Sequence, residues 1–148
     1  MYTITFEENP AQQDVQILGE GIDQHTQSKF PIRSSKQLVF FLRDEEGTIV
    51  GGVHGKYGSF GWLYVSALWV SEQVRDNGYG TELMDYIEQE AIKNGCTNAY
   101  LDTFSFQAPE FYKKLGYKVF GELEDFPTGH SRFFLRKKLP ESENASEK

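Results

Sequence analysis

Along several stretches of the chain, apolar and polar residues alternate with the spacing that lines one face of a strand. This predicts strands over Tyr2–Phe6, Gln37–Arg43, Thr48–His54, Trp62–Val70, Ala99–Phe104, Tyr117–Glu122 and Arg132–Leu139. Asp44-Glu45-Glu46-Gly47 is a turn that makes its two flanking strands a hairpin, and Gly55 to Gly61 is a second glycine-rich turn. Elsewhere the spacing lengthens to that of a helix. Between Thr81 and Lys93, Leu83, Ile87 and Ala91 share one face with Met84 and Ile92 beside them, while Glu82, Asp85, Glu88 and Glu90 fill much of the rest. That is an amphipathic helix packed on a sheet, stopped by Asn94-Gly95. A short helix starts at Pro109 and ends at Leu115-Gly116. A further helix runs from Ala11 behind Asn9-Pro10, read as a cap and a first helical position, with Val15, Leu18 and Ile22 on one side. Gly19 and Gly21 predict it short or bent. Gln24 to Lys36 is polar and reads as a loop.

The order is a hairpin and meander, then strand–helix–strand–helix–strand, which predicts an α/β (α+β) chain whose mixed sheet carries helices on both faces. At 148 residues the size prior favours one domain, over 1–140, with a polar tail at 141–148. Hydrophobic content of 39% with 15% aromatic residues supports a packed core and excludes disorder as a global reading. The net charge of −7 argues against a nucleic-acid surface, which needs clustered Lys and Arg. The single cysteine, Cys96, permits no disulfide within the chain, and no Cys/His metal spacing exists. No signal-peptide pattern and no membrane-length apolar run occurs, so a cytoplasmic protein is expected.

Candidate chemistry begins at Arg75-Asp76-Asn77-Gly78-Tyr79-Gly80, between a strand end and a helix start. Helix N-termini offer free N–H groups and the positive end of the dipole, a setting that favours phosphate. Two glycines let backbone come close to a ligand, and Arg75 adds a cation. Alone, such a segment is more often mere turn punctuation. Its companion is Ser105-Phe106-Gln107-Ala108-Pro109-Glu110-Phe111-Tyr112-Lys113-Lys114-Leu115-Gly116-Tyr117. Phe111 and Leu115 suit the core, whereas Tyr112 sits just after a strand end, where ligands bind in open α/β sheets.

Together these segments resemble the GNAT superfamily of acyl-CoA-dependent N-acyltransferases. The family's phosphate loop, Q/R-x-x-G-x-G/A, is matched by Arg75 to Gly80, and its later helix, A-x-x-F-Y-x-K-x-G-F/Y, by Ala108 to Tyr117. The resemblance is clear from about Trp62 to Leu139. It implies a GNAT fold with a mostly antiparallel, centrally splayed sheet of about six to seven strands, and acetyl-CoA as acyl donor without a metal. Leu68, Trp69 and Val70 would pair with the pantetheine arm. Arg75, the Asp76, Asn77, Gly78, Tyr79 and Gly80 backbone, and Thr81 would hold the pyrophosphate, Phe111 would line the cofactor site, and Tyr112 would protonate the departing thiolate. The family often has Asn where this chain has Ser105, which would contact the pantetheine more weakly.

Direct acetyl transfer to an amine needs a neutral amine, a polarised carbonyl and a proton for the thiolate, in one groove. Tyr112 as acid competes with a role in packing alone. Asp102 is a candidate base, set against a structural hydrogen bond near a strand end. His130 is a second candidate, as base or acceptor contact. Glu72 reads as a solvated turn charge, and His54 and His25 as surface or loop residues. The acceptor is expected to be a small-molecule or peptide amine, with no nucleic acid or membrane partner. The rival class is an acyl-CoA sensor without turnover. A homodimer is expected through an edge strand such as Arg132–Leu139.

Overall fold

The computed structural model describes residues 1–32 and 34–141, and the chain divides into two units, Met1–Arg33 and Ser34–Lys148. The expected tail falls almost wholly outside the described residues. In the first unit, α1 spans Gln12–Gln27 and buries none of its residues. At 16 residues it is not short, and it runs unbroken through Gly19 and Gly21. Its N-cap is Ala11 with no side-chain cap bond, two residues later than the Asn9-Pro10 signal. The expected loop from Gln24 therefore begins as helix, closed by Phe30 N–H donating to the Thr26 carbonyl at 2.8 Å. Tyr2–Phe6 forms no strand. Alternation alone cannot make one, because a strand's N–H and C=O groups need a partner ladder.

The second unit is built on β1 (Lys36–Arg43), β2 (Ile49–Tyr57), β3 (Trp62–Val70), α2 (Tyr79–Lys93), β4 (Asn98–Phe104), α3 (Pro109–Lys114), β5 (Lys118–Glu124) and β6 (Ser131–Lys138). A turn of 3-10 helix, Glu72–Val74, precedes α2. The six strands form one sheet in the order β1-β2-β3-β4-β6-β5, antiparallel throughout except for β3 and β4. The mixed, mostly antiparallel architecture expected from the sequence is present.

Strand β6 lies inside the sheet, paired to β4 on one side and β5 on the other. It has no free edge, so dimerisation by edge pairing of Arg132–Leu139 is ruled out. The crossover that inserts β6 beside β4 leaves β5 as the outer strand.

Two features of β3 position the site. Its parallel ladder with β4 covers only Trp62 to Tyr64 against Asn98 to Tyr100. Beyond Val65 the two strands separate and open a cleft. On the other side, Gly55 pairs with Val65 while His54 pairs with Ala67, so Ser66 is the extra residue of a β-bulge. The bulge restores Leu68 and Val70 to the face already used by Leu63 and Val65, and all four join the core.

Helix α2 closes that face. It packs on β1, β2 and β3, burying Leu83, Met84, Ile87, Ala91 and Ile92 against Val53, Leu63, Val65, Ala99 and Leu101. Each large apolar side chain so buried contributes about 1.5–3 kcal/mol. Glu88 is on this buried face too, at 6% exposure. One carboxylate oxygen accepts from Tyr117 Oη at 2.8 Å and the other from Lys137 Nζ at 2.7 Å.

Candidate active site

The turn from β3 into α2 has the geometry of an anion cradle. Asp76 and Gly78 lie in the left-handed region, with φ of 65° and 81°, and such turns make adjacent N–H groups converge. Gly78 is the N-cap of α2 without a side-chain cap bond. The N–H groups of residues 76–81 donate to no other described residue. The two glycines serve different ends. A Cβ on Gly78 would meet nothing within 4 Å, so its positive φ is what requires glycine. A Cβ on Gly80 would stand 3.3 Å from Phe111, so this glycine lets α3 pack closely on the start of α2.

A cavity of about 560 Å³ opens over this turn. Its lining includes Leu68, Trp69, Val70, Arg75, Asp76, Gly78, Tyr79, Gly80, Thr81, Phe111 and Tyr112, so residues from both sequence segments meet in one wall. Arg75 Nε donates to the Val70 carbonyl at 2.9 Å, which folds the guanidinium over the end of β3. Asn77 turns inward instead. Its amide donates to the Val74 and Arg75 carbonyls at 3.2 and 3.0 Å, bracing the loop through its side chain.

Tyr112 is placed by the turn before α3. Gln107 Oε1 accepts from the Phe104 N–H at 3.0 Å and from Thr103 Oγ1 at 3.3 Å, which fixes the entry into the helix. The Tyr112 hydroxyl has no partner among the described residues. Burial first, and the Asp102 charge second, push its pKa above the ordinary tyrosine value. The phenol therefore holds its proton at neutral pH, as a proton donor must.

Tyr112 also borders a second cavity, about 300 Å³, in the cleft between β3 and β4. Val65, Ser66, Ala67, Leu68, Leu101, Asp102, Thr103, Gln107 and Ala108 complete its wall. Asp102 reaches this cleft with both oxygens engaged. Oδ1 accepts from Tyr64 Oη at 3.0 Å, while Oδ2 accepts from Arg132 Nε at 2.9 Å and Nη2 at 2.7 Å. Arg132 is itself packed over the rings of Phe104, Phe126 and Phe134. Tyr64 stacks on Tyr100 and is shifted to a higher pKa by burial and then by its hydrogen bond to Asp102.

Two sequence-predicted residues lie elsewhere. Ser105 is clasped to the start of β6, its N–H donating to the Ser131 carbonyl at 2.8 Å and its Oγ accepting from the Ser131 N–H at 3.1 Å. His130 is exposed, 3.4 Å from Ser105 Oγ and edge-on to Phe106. Neither lines the two cavities. Sequence reasoning read His54 as a surface or loop residue. Its Nδ1 lies 2.5 Å from Ser66 Oγ and its Nε2 2.7 Å from Gln37 Oε1. Nothing in the local sequence pairs these residues, because the bulge that presents Ser66 is a property of the ladder. Glu88 did leave a signal, an acid in the row Met84–Glu88–Ile92 between two buried residues.

Residues 4–117 match the acetyltransferase (GNAT) family. The chain belongs to that family. This acetyltransferase is 32% identical over 112 residues to acetyltransferase Atu2258 of Agrobacterium fabrum, covering 76% of this chain and 81% of the relative. It is 35% identical over 113 residues to a blasticidin-S acetyltransferase of Streptomyces morookaense, covering 74% and 82%. A solved acetyltransferase from Bacillus cereus superposes with a TM-score of 0.83 at 39% identity, over 91% of this chain and 98% of that one. The chain is an acyl-CoA-dependent N-acetyltransferase. No helix of the described residues is long and apolar enough to cross a membrane, and among them no group of His, Cys, Asp or Glu could hold a metal ion.

Proposed function

We propose that this acetyltransferase moves an acetyl group from acetyl-CoA to the primary amine of a small cationic molecule, by direct attack with both substrates bound. The observation that carries this reading is Tyr112. It stands in the wall common to the turn cavity and the β3–β4 cleft, with a free hydroxyl and a raised pKa. A cofactor laid with its pyrophosphate on the Gly78–Thr81 N–H groups and its pantetheine along Leu68 to Val70 brings its thioester to that wall. Tyr112 then donates its proton to sulfur as the carbon–sulfur bond breaks, and burial keeps that proton available. Arg75 leaves the Val70 carbonyl for the phosphate, freeing that carbonyl to pair with the pantetheine amide.

The acceptor reading rests on the cleft side. Asp102 puts a carboxylate in the cleft wall, and the Tyr64 that hydrogen-bonds it stacks on Tyr100, which meets Trp62 edge-on, surroundings suited to an amine that carries positive charge. The relative named for blasticidin S supports a small molecule over a protein acceptor. The test is thiol release from acetyl-CoA over a panel of polyamines, aminoglycosides and basic nucleoside antibiotics, with calorimetric CoA binding alongside. Turnover of a member of the panel supports transfer. CoA binding with no thiol release across the panel refutes it in favour of an acyl-CoA sensor. A homodimer would use β5, one of the two outer strands of the sheet, where Val119, Phe120 and Leu123 are exposed; light scattering on a sizing column tests it, and a clean monomer rejects it.

A further inference from the structure

Acetyl transfer leaves a proton to be removed from the attacking amine, and the residues expected to do so are poorly placed. Asp102 already accepts from Tyr64 and Arg132 through its two oxygens, and His130 is outside the cleft. Ser66, by contrast, lies in the cleft wall together with Tyr112. The bulge makes it the one β3 residue of that wall without a partner in the β2 ladder. We propose that Ser66 and His54 form the proton-removal path: Ser66 contacts the attacking amine, and His54 stores its proton.

The hydrogen bonds assign the protons. Gln37 Oε1 can only accept, so the His54 Nε2 2.7 Å away carries hydrogen. Nδ1 therefore has a lone pair and accepts from the Ser66 hydroxyl at 2.5 Å. As the amine nitrogen bonds to the acetyl carbon, its proton passes to Ser66 Oγ while the Ser66 proton passes to Nδ1. The pair then carries one positive charge, on the imidazolium, still held by Gln37.

A second acceptor makes this state stable. Ser66 Oγ is also 3.1 Å from the His54 carbonyl. With His54 neutral, the hydroxyl donates to Nδ1. With His54 charged, Nδ1–H donates to Oγ and the hydroxyl turns to the carbonyl. Neither state strands a donor, so the pair can take up and release a proton without moving heavy atoms. The register neighbours of His54 on β1 and β3, Val39 and Ala67, are uncharged. Of the charged groups, Lys56, two residues further along β2, lies over the Tyr64 ring, and the Asp102–Arg132 pair is joined to the same tyrosine.

This path rests on the transferase reading, and the experiment separates the two. An acceptor turned over by wild-type protein is assayed with H54Q, S66A and S66T, with CoA affinity measured by calorimetry for each. The expected result is a fall in kcat of about 10²-fold for H54Q and for S66A, the scale of a lost general base. CoA affinity is retained, which shows that the variants fold. S66T, which keeps a hydroxyl, recovers most of the rate lost in S66A. The acidic limb of the wild-type kcat profile is absent in H54Q, and nitrogen NMR places the neutral His54 proton on Nε2. Wild-type turnover with H54Q within about threefold and an unchanged limb, or a proton on Nδ1, overturns the path alone. CoA binding with no thiol release by wild-type protein overturns the transferase reading and the path with it.

Discussion

Lys137→Met tests the energetic reading of the buried polar cluster. The wild-type ammonium stands 2.7 Å from Glu88 Oε1, with side-chain exposures of 23% and 7%. At an effective dielectric of about 20 the gross attraction at that distance is about 6 kcal/mol. Desolvation cancels much of it, so the pair itself adds little net stability. Removing only the cation is different, because the carboxylate remains buried with Tyr117 as its sole partner among the described residues. The expected loss is about 3 kcal/mol, the low end for breaking a buried pair, since Lys137 retains some contact with water. In urea, with a slope of about 2 kcal/mol per molar, the midpoint should drop by about 1.5 M, read from Trp62 and Trp69 fluorescence. The double variant E88Q/K137M removes both charges and keeps an acceptor for the tyrosine, so it should recover more than half of the loss. A K137M protein within about 1 kcal/mol of wild type, or a double variant no more stable than K137M, refutes this account.

Three further outcomes follow. Tyr112→Phe should lower kcat about 10²-fold with CoA affinity unchanged; because burial raises the wild-type phenol, its alkaline limb should lie above the ordinary tyrosine value of about 10, and an unchanged rate across pH removes its role as acid. Tyr117 is raised far more, by burial and then by Glu88. The unfolded chain therefore releases this proton near pH ~10 while the native state keeps it, so stability is full below that pH and falls above it by about 1.4 kcal/mol per unit; urea midpoints between about pH 9.5 and 11 should show the slope, and Y117F should flatten it. Gly78→Ala should cost about 1–2 kcal/mol through backbone strain, since space for the methyl is available; G78N, better tolerated at positive φ, should recover part of it, and equal losses would point to sterics instead.

What could be read from the sequence was what is encoded locally. Helix α2 carries its apolar stripe, its glycine entry and its Asn94-Gly95 exit within one continuous segment, and the structure follows it within two residues at the start. The loop at Arg75–Gly80 and the helix at Ala108–Tyr117 were each visible alone; their meeting across Gly80 and Phe111 is tertiary. Where pairing decides, the pattern misled. Tyr2–Phe6 alternates but finds no ladder. Strand β2 runs on through Gly55 to Tyr57 because β1 and β3 both pair with it, although its glycines read as a turn. Glu88 was placed on the wet face because a charge there is the usual case, and its partners come from residues 29 and 49 positions away. His54 and Ser66 meet only because a bulge adds one residue to one side of a ladder.

The short parallel ladder at Trp62–Tyr64 has a thermodynamic consequence. Three rungs join the β1–β3 half of the sheet to the β4–β6 half before the strands part. In the binding mode proposed above, a donor molecule whose amides pair along Leu68 to Val70 would take the place of the missing rungs. The cosubstrate then acts as part of the scaffold, and mass action makes its concentration a stability parameter: a hundredfold excess over Kd adds about 2.7 kcal/mol. Slower amide exchange should extend from β3 into strands that the cosubstrate never touches, because the two halves can no longer open independently.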